Sequence, residues 1–133
     1  MDSKDKLNRR VALFDIKNKK ILMTYKPEVG AYFTPGGRVE EGDDSIESLR
    51  QEIRMKLDCE IENIKFFKTF RGTNDTTGEP FYQMCYFGKI VGKMKPRNGV
   101  TKVKWVDKTA KGTPIRPMMK DKIIPTLVKK KLL

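Results

Sequence analysis

Along the first third of the chain the apolar positions come in short β-rich runs, and after residue 44 they switch to a helical period. Arg10 to Ile16 (RVALFDI) and Ile21 to Tyr25 (ILMTY) flank KNKK, which predicts a hairpin with Asn18 in its turn. A short extended piece at Ala31 to Thr34 precedes Pro35, and the residue before a proline is pushed towards extended geometry. The glycine pair of PGG predicts a turn where backbone can approach a ligand, because glycine has no side chain to obstruct it. Asp44 to Leu57 predicts a helix with Asp44 as N-cap and Glu47 completing a capping box. Ile46, Leu49, Ile53 and Leu57 recur at helical spacing and predict one buried stripe.

Beyond the helix, Glu60 to Phe70 and Phe81 to Val91 predict a second hairpin across the loop RGTNDTTGEP. A further strand is expected at Thr101 to Asp107, with the lone Trp105. A C-terminal helix is expected around Asp121 to Leu133, beginning near Pro125, which a first helical turn tolerates. Strands, one strong helix, strands and a basic tail argue for an α/β fold, a mixed sheet sandwiched between helices. The chain carries no repeat, low-complexity segment or linker, and 133 residues fit a single domain over 1–133.

Composition narrows the functional classes. Apolar and charged residues make up 38% and 35% of the chain, and no apolar stretch approaches the roughly 20 residues that span a bilayer. No membrane partner is expected. MDSKDKLNRR has no apolar core of a secretory leader, so a cytoplasmic location is expected, with Cys59 and Cys85 as free thiols. With no histidine and two separated cysteines, zinc chemistry is poorly supported. The charge of +12 is lopsided: residues 1–88 hold 15 Lys or Arg and 15 Asp or Glu, whereas residues 89–133 hold 14 against Asp107 and Asp121. Such a basic third attracts polyanions, RNA among them, or serves as a solvated lysine face. Only Arg97 and Arg116 of those cations are arginines, which weighs against specific bidentate recognition.

EEGDD beside the helix start is a patch of carboxylates. It suits a hard divalent cation bridging to substrate phosphates, or simply complements the helix dipole. On the helix, Glu52 shares a face with Ser48 and Lys56. Met55 falls about 60 degrees from Glu52, on the side away from the apolar stripe. The Glu52–Lys56 pair has the favourable orientation and reads most simply as an exposed pair worth about 0.3–0.5 kcal/mol.

Together, Pro35 to Cys59 resemble the Nudix box of the MutT-like superfamily, G-x5-E-x7-R-E-U-x-E-E-x-G-U, in degenerate form over residues 37–59. Aligning its first glycine with Gly37 puts the first acid at Asp43, the arginine at Gln51, the helix glutamate at Glu52 and the bulky aliphatic at Ile53. The acid pair falls on Met55 and Lys56, the second glycine on Asp58 and the last aliphatic on Cys59. PGGRVEEGD is similar to the family's common PGG-x-V-E-x-G-E, and Trp105 lies where the family often has a tryptophan. The resemblance extends from the first hairpin to about Asp107.

It implies a Nudix fold and cleavage of a nucleoside-diphosphate-linked or RNA 5′-phosphate substrate, helped by Mg2+ or Mn2+. Glu52 is then the catalytic residue. Glu52, Asp43, Glu41 and Gly36 are the candidate metal ligands, and Arg38 and Lys56 the candidate phosphate contacts, Arg38 pairing alternatively with Glu40. With Met55 and Lys56 in place of two acids, the ion is expected to be weakly held or absent. One reading is a divergent hydrolase recruiting the loop acids Glu40, Glu41, Asp43 or Asp44. The alternative is an inactive module that binds nucleotide or RNA, and a third is a protein-interaction scaffold. Tyr25, Tyr32, Phe33, Tyr82 and Tyr86 are candidate base-stacking residues, most of them expected in the core. The base recognised and the oligomeric state stay open.

Overall fold

The computed structural model describes residues 8–74 and 77–133. The leader reading of residues 1–7 and the loop positions Asp75 and Thr76 lie outside them. Strand β1 (Arg9–Phe14) is central to a mixed sheet in the order β5-β1-β7-β6, formed with β5 (Gly36–Arg38), β6 (Glu60–Thr73) and β7 (Pro80–Val91). It runs antiparallel to β5 and parallel to β7. A second sheet is built on β3 (Lys20–Lys26), which pairs antiparallel with β2 (Ile16–Lys17), β4 (Ala31–Phe33) and β8 (Lys102–Val106). Helix α1 (Ser45–Leu57) covers one face of the mixed sheet, and the C-terminal segment, ending in α2 (Ile124–Lys129), covers the other.

Alternation along β1 builds the two cores. Val11 and Leu13 pack with Leu49, Ile53 and Leu57 of α1, while Ala12 and Phe14 pack with Ile21, Met23, Ile123 and Leu127. The period of two in β1 therefore serves both layers. The expected α/β/α architecture is observed.

Three expectations for the strands and the first helix need correction. The first hairpin is shorter than RVALFDI suggested, because that run divides at Asp15 into β1 and β2, which belong to different sheets. Asp15 is 4% exposed, and its Oδ2 accepts the Ile90 N–H at 2.9 Å, fixing the bend between the sheets. Only β2 and β3 form the hairpin, with Asn18 and Lys19 at φ 51 and 61 in its two-residue turn. The second correction concerns PGG. Its glycines form strand β5, with Gly36 opposite Ala12 and Gly37 opposite Val11. Third, Ile46 is 37% exposed, and Ser48 joins Leu49, Ile53 and Leu57 on the buried stripe.

Local chemistry sets the helix boundaries. Asp44 Oδ2 accepts the Glu47 N–H at 2.9 Å, as an N-cap should. Asp58, aligned with the family's second glycine, closes α1 in the left-handed region at φ 56. The C-terminal α-helix begins where expected, with Pro125 in its first turn, but it ends at Lys129 and is preceded by a π turn over Met119–Ile123. Pro125 has no N–H to give Asp121, so the usual bond is lost there. The Ile124 N–H reaches back to Met119 O instead.

Candidate functional site

Glu52 projects from α1 against β5. A Cβ on Gly37 would meet the Glu52 carboxyl carbon at 2.3 Å, so the glycine is required for close approach rather than for a turn. Lys56, one turn further along, places its Nζ 2.8 Å from Glu52 Oε2 and donates to Gly36 O at 3.0 Å. The two side chains are only 17% and 16% exposed, so this is not the exposed pair expected from helix geometry. Strand β5 covers that face, which a helical wheel cannot register. Glu52 Oε2 is buried and receives no aligned hydrogen bond, its nearby ammonium notwithstanding.

Further cations gather around this pair. Lys26, at the end of β3, lies against Lys56; burial pulls its pKa down, Lys56 and Arg10 add to the effect, and Glu52 opposes it. Arg10 is shifted downward mainly by burial, with Glu52 opposing and Arg38 and Arg116 reinforcing. Arg10 and Arg38 face each other directly across β1 and β5, an arrangement of like charges that costs stability unless an anion offsets it. Arg116 arrives through a parallel bridge between Ile115 and Tyr32, with the Tyr32 N–H donating to Pro114 O at 2.8 Å and the Arg116 N–H to Tyr32 O at 3.1 Å.

These cations border a cavity of about 570 Å3, within the usual range for small-molecule sites. Arg9, Arg10, Lys26, Arg38 and Arg116 contribute to its lining, and Glu79 is the one acid among the described lining residues. Phe33, Phe81, Met118 and Ile123 supply an apolar side.

The remaining candidates are dispersed. Glu41 and Asp43 are exposed in the turn closed by Asp43 N–H to Glu40 O, and Arg38 lies 3.9 Å from Glu40. No group of three or more His, Cys, Asp or Glu comes together among the described residues. Met55 is 49% exposed. Of the five candidate aromatics, Tyr86 is buried against Ser45 through a 2.5 Å hydrogen bond, while Tyr25, Tyr32, Phe33 and Tyr82 are half-buried, Phe33 lining the cavity and the Tyr25 and Tyr32 rings tilted at 46° with centroids 5.0 Å apart. Nothing in the sequence marks Arg10, Lys26, Phe81 and Arg116 as site residues. Each looks like an ordinary strand end or loop cation until the register joins them.

The chain belongs to the Nudix family: the NUDIX domain model matches residues 6–122. Solved structures agree at the level of fold. A MutT NUDIX hydrolase from Burkholderia pseudomallei is 16% identical, with a TM-score of 0.77 over 91% of this chain and 97% of its own. The E. coli ORF135 protein is 17% identical, with a TM-score of 0.78 over 98% and 95%. A NUDIX hydrolase from Nitrosomonas europaea is 15% identical, with a TM-score of 0.76 over 96% and 91%. No curated protein matches in sequence.

Proposed function

We propose that this chain binds a nucleoside-diphosphate derivative in the cavity beside Arg10 and Glu52, and that its metal-dependent hydrolysis is weak or lost. The carrying observation is the lining itself. Five cations meet one acid in a space large enough for a nucleotide, with Phe33 and Phe81 available to an aromatic base. Loss of hydrolysis is supported by Met55 and Lys56 standing at two of the family's acid positions, and by the dispersal of Glu41 and Asp43.

An RNA 5′-phosphate is a second form of the same ligand. The specific observation favouring it is that Arg116, Met118 and Ile123 come from the basic third, so that segment reaches the cavity directly. A cytoplasmic location suits either ligand.

A panel of nucleoside-diphosphate derivatives, assayed by calorimetry and by phosphate-release chemistry with and without Mg2+, tests the proposal. Binding without sustained turnover is expected, and Met55→Glu combined with Lys56→Glu should introduce Mg2+-dependent release of monophosphate. Efficient Mg2+-dependent cleavage by the unaltered chain, abolished in Glu52→Gln, would establish the hydrolase instead.

A further inference from the structure

We infer that the site grips the phosphates of its ligand without a divalent ion, the protein's own ammonium groups taking the ion's place. This rests on the reading of the cavity as a nucleoside-diphosphate site and adds how the charge is held.

The residues present do not fit a resident Mg2+ or Mn2+. Such ions take several oxygen ligands, and Mg2+ demands near-octahedral geometry. Of the candidate ligands, the fold brings only Glu52 and Gly36 together on one group, and that group is Lys56 Nζ, at 2.8 Å and 3.0 Å. Met55 brings a thioether where a hard ion needs oxygen, and the thioether is a poor ligand for it. The acids of the 40–44 turn do not join Glu52 in any cluster of three among the described residues.

Charge points the same way. Around Glu52 stand Lys56, Lys26 and Arg10, three cations to one carboxylate, with Arg38 and Arg116 adding further positive charge that acts on Arg10. A dication entering here would meet further positive charge. An anion would relieve it. Lys26 and Arg10 both line the cavity, whereas Lys56, which interacts with Lys26 and is only 16% exposed, is not among the described lining residues. Thus Lys26 and Arg10 are the direct phosphate contacts, and Lys56 neutralises Glu52 so that the carboxylate does not repel the ligand.

A divalent ion should therefore be unnecessary for binding and, by complexing free diphosphate, should compete with the protein for it. The test is calorimetry with inorganic pyrophosphate and with ADP, in EDTA and in millimolar Mg2+. Pyrophosphate and ADP should bind in EDTA, with equal or lower affinity once Mg2+ is added. Lys26→Gln and Lys56→Gln should each weaken binding by about tenfold, as expected for loss of a charge-assisted contact or exposure of an uncompensated carboxylate. Should Lys56→Gln fail to fold, Lys26→Gln carries the comparison, because Lys26 lies at a strand end. Binding that requires Mg2+, or that tightens tenfold or more on its addition, overturns this inference while leaving the nucleotide reading intact. Undiminished affinity in the lysine variants also overturns it. No binding of either probe, with or without Mg2+, removes the nucleotide reading and the inference together.

Discussion

At the scale of single residues, the glycine pair makes the sharpest distinction. A Cβ on Gly36 would lie 1.9 Å from Val11 O, so backbone would have to yield, whereas one on Gly37 would meet the end of the flexible Glu52 side chain at 2.3–2.6 Å. Gly36→Ala should therefore cost more than about 2 kcal/mol by forcing β5 off β1, within the range for overpacking. Gly37→Ala should cost less, yet shift Glu52 away from Lys56 and alter pyrophosphate affinity. Urea denaturation of both variants checks the order, and a larger loss in Gly37→Ala would contradict it. Glu52 was legible in the sequence because glycines, cap and stripe fix its register. The cations around it were not, since Arg10, Lys26 and Arg116 are brought together only by strand pairing and a loop bridge. Lys56 was legible as a partner of Glu52, but its burial depends on β5, which looked like a turn.

Among the elements, α1 matters most because it carries both Glu52 and Lys56. Its N-terminus depends on the bond from the Glu47 N–H to Asp44 Oδ2. Asp44→Ala should lower stability by about 1 kcal/mol, the usual cost of an N-cap, with pyrophosphate affinity little changed because the site lies two turns further on. Thermal unfolding together with calorimetry would show this, and an unchanged midpoint would mean that the cap contributes nothing here. The other end is held from a distance: Arg97 donates to the carbonyls of Met55 at 2.9 Å and Arg54 at 2.7 Å, and Asn98 Nδ2 donates to Met55 O at 2.6 Å. Capping at the N-terminus was readable because it is local. The C-terminal clamp was not, because Arg97 is 42 residues from Met55. The same contrast explains why β1 and β2 looked like one strand. Their division is fixed by Asp15 bonding to Ile90, 75 residues away.

For the whole molecule, the uneven charge becomes meaningful once the topology is known. Residues 89–133 carry the entire excess, and they also supply β8, the bridge that brings in Arg116, and the π turn whose Met119 and Ile123 border the cavity. A mononucleotide in the cavity would meet, of this third's cations, Arg116 alone among the described lining residues, whereas a 5′-phosphorylated RNA would extend beyond the cavity and engage surrounding lysines. Salt separates these cases, since each phosphate contact to a single strand releases counterions and steepens the dependence of affinity on salt. A 5′-phosphorylated RNA oligomer should lose affinity by about tenfold between roughly 50 and 200 mM salt if two or three phosphates are engaged in all, the end group included. The same oligomer with a 5′-hydroxyl should bind more weakly at every salt concentration, because it leaves Arg10 and Lys26 without their anion. Equal binding of the two oligomers would place RNA on the lysine face alone and leave the cavity to nucleotides. A shallow salt dependence, matching that of ADP, would mean that the basic third acts on the ligand only through Arg116.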